Sequence, residues 1–180
     1  RRWIGELLAK SREIAAADGA DTGGCHTSQF QAFIAVANIG GWAEDAAGVM
    51  ERAGVHGRSL TMPDVEIRSQ LVAYPLVGVI SPWNAPMMLS LLDAVPALFA
   101  GSAVLLKPSE VTPRFVGPLM ETVRRVPELA DVFDVVFGDG ATGQDVIRNV
   151  DLVCFTGSVA TGRKVAVSCA ERLVPCFLEM

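Results

Sequence analysis

Apolar residues recur every three to four positions along residues 3–17 (Trp3, Ile4, Leu7, Leu8, Ile14) and 28–53 (Phe30, Phe33, Ile34, Ala37, Trp42, Ala46, Val49, Met50). That spacing predicts two amphipathic helices, placed at the periphery. Asp18 to Ser28 (DGADTGGCHTS) reads as a turn-rich connector, and Gly54 to Asp64, closed by Pro63, as another. Val65 to Ala73 alternates as a half-exposed antiparallel strand or hairpin arm. From Leu76 the rhythm changes to short apolar runs at 76–81, 103–106, 132–137, 151–155 and 174–178, five expected strands. Helices are expected over 87–100, 113–126, 142–149 and 159–171, the second with Thr112 as N-cap and Pro113 at its first position. Apolar strands joined by helical crossovers imply an α/β, Rossmann-like, doubly wound parallel sheet of about five strands, with N-terminal helices and an antiparallel arm. The expected divisions are an N-terminal helical segment (1–64), a strand of an oligomerisation hairpin (65–75) and a dinucleotide-binding domain (76–180). No internal repeat is evident.

Composition narrows the function classes. With 180 residues, 51% hydrophobic and 19% charged, the chain has material for a real core and is not disordered. A net charge of −5, with no basic run beyond Arg1-Arg2 and Arg124-Arg125, argues against nucleic acid as a partner. The window from Pro86 to Leu106 carries one charge, Asp93, which in lipid would cost roughly 2.5–3.5 kcal/mol. Pro96 and Gly101-Ser102 break that window into helix-length and strand-length pieces, so no membrane span is expected. Cys25, Cys154, Cys169 and Cys176 fall at spacings of 129, 15 and 7, without a CxxC pair, so neither a metal site nor a disulfide framework is expected. A reduced, cytoplasmic setting is the default. The start at Arg1 and a mean hydropathy of +0.37 fit a piece of a longer protein.

In doubly wound sheets ligands bind at the carboxyl ends of the strands, so the chemistry is sought in those loops. Thr156-Gly157-Ser158 runs from a strand into a helix, where free amides and the Ser158 hydroxyl could hold a pyrophosphate; a simple N-cap explains the same residues. Gly138, Gly140 and Gly143 make a G-x-G-x-x-G, either a phosphate loop or a tight turn beside a packed helix. Lys107 and Glu110 are placed to meet adenosine ribose hydroxyls, or only one another. A carboxylate at Glu110 would repel a 2′-phosphate and so favour NAD over NADP. Asn84 offers an amide donor for an oxyanion, though Asn in a Pro-rich turn is commonly structural. Glu179, after the last apolar strand, is a candidate general base one residue from the end. Cys154, Cys169 and Cys176 read as small buried hydrophobes, Cys25 as an exposed loop cysteine, and His26 and His56 have no assigned role.

Taken together, ISPWNAP (80–86), LLKPSEVTP (105–113), FGDGATG (137–143), FTGSVATG (155–162) and PCFLEM (175–180) stand in an order and spacing that resembles the aldehyde dehydrogenase superfamily. Ala20-Asp21-Thr22-Gly23 resembles that family's turn after its first long helix. The resemblance implies NAD-dependent oxidation of an aldehyde to a carboxylic acid through a cysteine thiohemiacetal and thioester. It implies that Asn84 donates to the oxyanion and that Glu179 activates the deacylating water. The implied cofactor-binding set is Ser81, Pro82, Trp83, Lys107, Ser109, Glu110, Gly140, Gly143, Thr156, Gly157, Ser158 and Thr161. The nucleophilic cysteine is expected beyond Glu179, in a catalytic domain absent from this chain, and Ala85 departs from the bulky residue usual after the motif's Asn. A homodimer or homotetramer is expected by resemblance alone. A coenzyme A-acylating relative, which would do without Glu179 as base, and a non-catalytic nucleotide-binding or oligomerisation module are the alternatives.

Overall fold

Where the sequence pattern places a long connector between two helices, the chain makes almost none. Helix α1 runs over Arg2–Thr22 and α2 over Cys25–Ala53, leaving Gly23 and Gly24 between them. Asp18, expected in the connector, is instead inside α1 and buried, where Ser28 and Gln31 of α2 donate to it. Gly23 ends α1 in the left-handed region at φ 73°, a conformation that costs glycine little. The computed structural model describes residues 1–54 and 56–180, with the Cys25 side chain left aside. Cys25 opens α2 rather than sitting on a loop, and the exposure expected for it lies outside the described residues.

The two helices form an outer layer, as their pattern suggested, but each buries one face in the core. Trp3, Leu7 and Ile14 of α1 and Ala32, Ala35 and Ile39 of α2 are buried in one cluster with Val79, Leu91 and Leu106. The Trp3 ring meets Phe133 edge-on at 6.2 Å, while its indole N–H donates to Thr122 Oγ1 at 2.9 Å, so the polar edge is satisfied inside the core.

The expected arm over 65–73 shrinks to β2 (Glu66–Arg68), paired antiparallel with β1 (His56–Arg58), with Gly57 opposite Ile67. Its partner thus comes from the segment read as a connector. The ribbon and its flanks are exposed, leaving Leu60, Val72 and Tyr74 largely open to solvent.

The five expected strands all form, with ends shifted by one or two residues: β3 (Leu76–Ile80), β4 (Ala103–Lys107), β5 (Phe133–Val135), β6 (Leu152–Thr156) and β7 (Cys176–Glu179). They make one parallel sheet in the order β5-β4-β3-β6-β7. The connecting helices are α3 (Pro86–Ala100), α4 (Val116–Arg124), the short α5 (Pro127–Ala130), α6 (Gly140–Asn149) and α7 (Val159–Arg172). One face of the sheet packs with α1 to α4 in the cluster holding Val77, Val79, Val104 and Cys154. The opposite face packs with α6 and α7 in the cluster of Ile80, Val146, Val153, Phe155 and Val165. A Cβ on Gly78 of β3 would stand 2.7 Å from a Val146 methyl, so α6 lies close over the sheet centre. This is a Rossmann-like, doubly wound α/β fold.

Thr112 does not cap a helix. α4 begins four residues later, at Val116, with Phe115 in the capping position, and Pro113 lies outside it. The buried Thr112 hydroxyl donates instead to the Trp83 carbonyl at 3.2 Å, tying the loop after β4 to the loop after β3.

Candidate functional site

The strand order decides where a ligand can sit. The chain leaves β3 toward β4 and β5, then returns to lay β6 on the opposite side of β3, and such a reversal opens a crevice beyond the strand ends. A cleft of about 790 Å³ lies there, bounded by the loops after β3, β4 and β6, the end of β7, and one face of α6. Every residue singled out from the sequence as catalytic or cofactor-binding lines it.

On the β3 loop, Ser81 is buried, its amide donating to the Lys107 carbonyl at 3.1 Å and its hydroxyl 2.7 Å from Ser90 Oγ. Those bonds hold the backbone that leads through Pro82 to the exposed Trp83 and Asn84. The Asn84 side chain makes no hydrogen bond to the described residues. A turn-forming Asn would spend its side chain on nearby backbone, whereas this amide remains available to a ligand.

On the β4 loop, Lys107 is almost wholly buried, its side chain 5% exposed against 56% for Glu110, and the two pair at 3.0 Å. Glu110's own backbone amide, then the Lys107 ammonium, hold its carboxyl below the ordinary value. The pair is therefore not an incidental surface contact: a buried ammonium depends on that one carboxylate. Ser109 accepts from the Val111 amide at 3.2 Å, closing the loop.

The two glycine-rich stretches separate into structural and cleft-facing positions. At Gly138 a Cβ would fall on the Thr142 side chain, and at Gly157 it would stand 2.6 Å from the Phe155 ring, so packing alone demands glycine at both. A Cβ on Gly140 or Gly143 would meet nothing within 4 Å. Packing does not explain those two glycines, and the space they leave belongs to the cleft. Asp139 caps α6 by accepting from the Ala141 amide at 2.9 Å.

At α7 the N-cap reading of Ser158 holds: its oxygen accepts from the Thr161 amide at 3.2 Å and its hydroxyl donates to Thr161 Oγ1 at 3.0 Å. Ser158 and Thr161 thus satisfy one another, while the Val159 and Ala160 amides stay among the helix's free donors. Glu179 is the last residue of β7, opposite Thr156, with its carbonyl accepting from the Gly157 amide at 3.0 Å. On α3, Asp93 lies near enough to feel the Glu179 charge; burial first, then that charge, push its carboxyl up to about 6. Burial pushes the Cys154 thiol up to about 12 and the Cys169 thiol up to about 11, so neither is a thiolate at neutral pH.

Asp139, Gln144 and Ile147 also line the cleft and were not anticipated. Their signal was present: with Gly140 and Gly143 they repeat at three-to-four spacing and form one stripe of α6.

The pattern of the Aldehyde dehydrogenase family matches residues 1–180. This chain belongs to that family. It is 35% identical over 180 residues to a protein of Mycolicibacterium smegmatis named as a succinate-semialdehyde dehydrogenase [NADP(+)], covering 97% of this chain and 34% of that one. Among solved structures it superposes on aldehyde dehydrogenase PutA of Anabaena variabilis with a TM-score of 0.93 and 43% identity, over 99% of this chain and 38% of the other. Lactaldehyde dehydrogenase from Escherichia coli superposes with a TM-score of 0.92 at 27% identity, over 100% of this chain and 38% of that one. The chain therefore spans about a third of the length of the relatives it matches. In this aldehyde dehydrogenase chain, the five motifs that suggested the family are the four loop segments and the strand end that meet at the cleft.

Proposed function

We propose that this chain is the cofactor-binding part of an NAD-dependent enzyme that oxidises an aldehyde to a carboxylic acid. The carrying observation is that Asn84, the Lys107–Glu110 pair, the bare α6 face and Glu179 all border one cleft at the sheet's reversal. A dinucleotide suits the residues present, because Gly140 and Gly143 leave room that a Cβ would fill, and α7 offers unpaired amides. Lys107 and Glu110 hold the adenosine ribose; Trp83, Ser109, Thr156, Ser158 and Thr161 border the phosphates. The charged Glu110 favours NAD over NADP, whose 2′-phosphate it would repel. Once held there, the nicotinamide would supply the acceptor for the hydride that leaves the substrate carbon after the cysteine has added to it.

Asn84 donates its amide hydrogens to the aldehyde oxygen as negative charge gathers there. Glu179 takes a proton from the water that releases the acid. The nucleophilic cysteine comes from outside these residues, since no cysteine is among the described residues that line the cleft and Cys154 and Cys169 are held as thiols. The exposed β1–β2 ribbon supports a homo-oligomer, because an isolated two-stranded ribbon is marginal until it packs or pairs. We place the protein in the cytoplasm on its cysteine usage.

Glu179→Gln in the protein that carries this chain tests the reading. The expected outcome is one equivalent of NADH released in a burst, followed by turnover about 10²-fold slower or worse. Steady turnover at the parental rate would remove Glu179 as the base and favour transfer of the acyl group to a thiol such as coenzyme A.

A further inference from the structure

The loop that presents Asn84 has no capping side chain of its own. Helix α3 starts just after it, and the residue in its capping position is Ala85, which cannot accept from the free amides of the first turn. One of those amides, Met88 N–H, is taken up from a different helix: Gln31 Oε1 of α2 accepts it at 3.2 Å. The other end of the Gln31 amide is committed too, Nε2 donating at 2.9 Å to Asp18 Oδ2 of α1. Ser28 Oγ donates to the same oxygen at 2.5 Å. Asp18, Ser28 and Gln31 are all at most 1% exposed. Because Asp18 accepts on that side, the Gln31 amide has a single orientation, with its oxygen toward α3. The Met87 amide, also in the first turn of α3, faces the Asp18 carboxyl and favours its charged form, against burial, which pushes the carboxyl above its ordinary value. A buried carboxyl is an expensive way to hold helices together when an apolar contact would serve. Its effect here is to hold the first turn of α3 twice, beside Met87 directly and at Met88 through the Gln31 amide it orients.

Resting on the proposed reading of Asn84, we propose that Gln31, oriented by buried Asp18, is a positioning residue that sets Asn84 at the cleft by capping α3 from α2. Asn84 itself has no side-chain tether and lies two residues before α3, so it inherits its place from that turn and from the Thr112–Trp83 bond. Misplacement of a reacting contact by about 1 Å can cost on the order of 10²-fold in rate. Gln31 is not among the residues that line the cleft, so it acts only through what it holds.

The experiment is a double-mutant cycle in the full-length protein, Gln31→Leu and Asn84→Ala singly and together. It reads kcat and KM for the aldehyde at saturating NAD, NAD affinity by calorimetry, and Tm. Expected is a roughly tenfold or greater fall in kcat for Q31L, with NAD affinity within about twofold of the parent. In the N84A background, Q31L should have no further effect on kcat, because the residue it positions is gone. Should Q31L not fold, Ser28→Ala carries the same cycle, with a smaller fall in kcat that again vanishes in N84A. Parental kcat in Q31L beside a crippled N84A overturns the positioning role alone. So do losses that multiply undiminished in the double variant, or a kcat that falls only in step with NAD binding. Parental turnover in N84A removes the oxyanion reading of Asn84, and the positioning role falls with it.

Discussion

On the proposed ribose role, Glu110→Ala should have opposite consequences for two cofactors. In the parent, the carboxylate is charged throughout the neutral range, because its own amide and the Lys107 ammonium hold its carboxyl below the ordinary value. On that reading, removing it deletes an acceptor for the ribose hydroxyls, and a hydrogen bond to a charged group contributes about 1.5–3 kcal/mol. Affinity for NAD should fall by about 10- to 100-fold. The same change removes a negative charge that would face a 2′-phosphate and frees a buried ammonium to meet it. At contact range that charge interaction is worth about 1 kcal/mol or more in the partly wet cleft, so NADP should bind roughly five- to tenfold tighter. Lys107, 5% exposed, then keeps no ion-pair partner among the described residues. With Glu110 itself 56% exposed, the stability lost is at the low end for a broken pair, about 1 kcal/mol, or a few degrees in Tm. Calorimetric titration of each cofactor into parent and E110A separates these effects. Unchanged NAD affinity would refute the ribose assignment. Equal weakening of both cofactors would show that E110A merely deforms the loop.

Gly143→Leu should abolish dinucleotide binding while raising Tm slightly, since its side chain would enter the cleft and leucine is about 0.8–1 kcal/mol better than glycine inside a helix; retained NAD binding by calorimetry would place the ligand elsewhere. The folded chain holds a proton on Asp93 up to about pH 6 where the ordinary value is 3.8, so it binds more protons than the unfolded chain between those values and stability should fall as pH rises through that window. The shift corresponds to about 3 kcal/mol and, after solvent screening, about 1–2 kcal/mol; urea melts from pH 4 to pH 7 should lose that slope in Asp93→Asn, and an unchanged slope would assign it to another group. Cys154 and Cys169, with thiols pushed up to about 12 and about 11, should not react with a disulfide reagent at pH 8 until the protein unfolds; labelling of either residue in the native protein within minutes, located by peptide mapping, would contradict their burial.

The alternation of apolar runs with helix-length segments determined the five strands and four main crossover helices, because the periodicities of strand and helix are local properties of the chain. It also determined that Asn84, Lys107, Glu110, Ser158 and Glu179 fall at or just beyond strand ends, where a parallel sheet exposes its chemistry. Strand order lay beyond that reading: only packing sets β6 beside β3, and that choice gathers separate loops into one cleft. Partners far apart along the chain were equally illegible. Thr112, spaced as an N-cap, bonds Trp83 instead, and Pro113 starts no helix. Asp18, in a stretch that reads as a turn, is a buried anchor, while the Arg114 amide finds Asp21 across 93 residues. Ser, Thr, Asp and Gln carry donors and acceptors that serve a local cap or a distant helix equally well. Which of these they serve is decided by what the folded chain brings within about 3 Å.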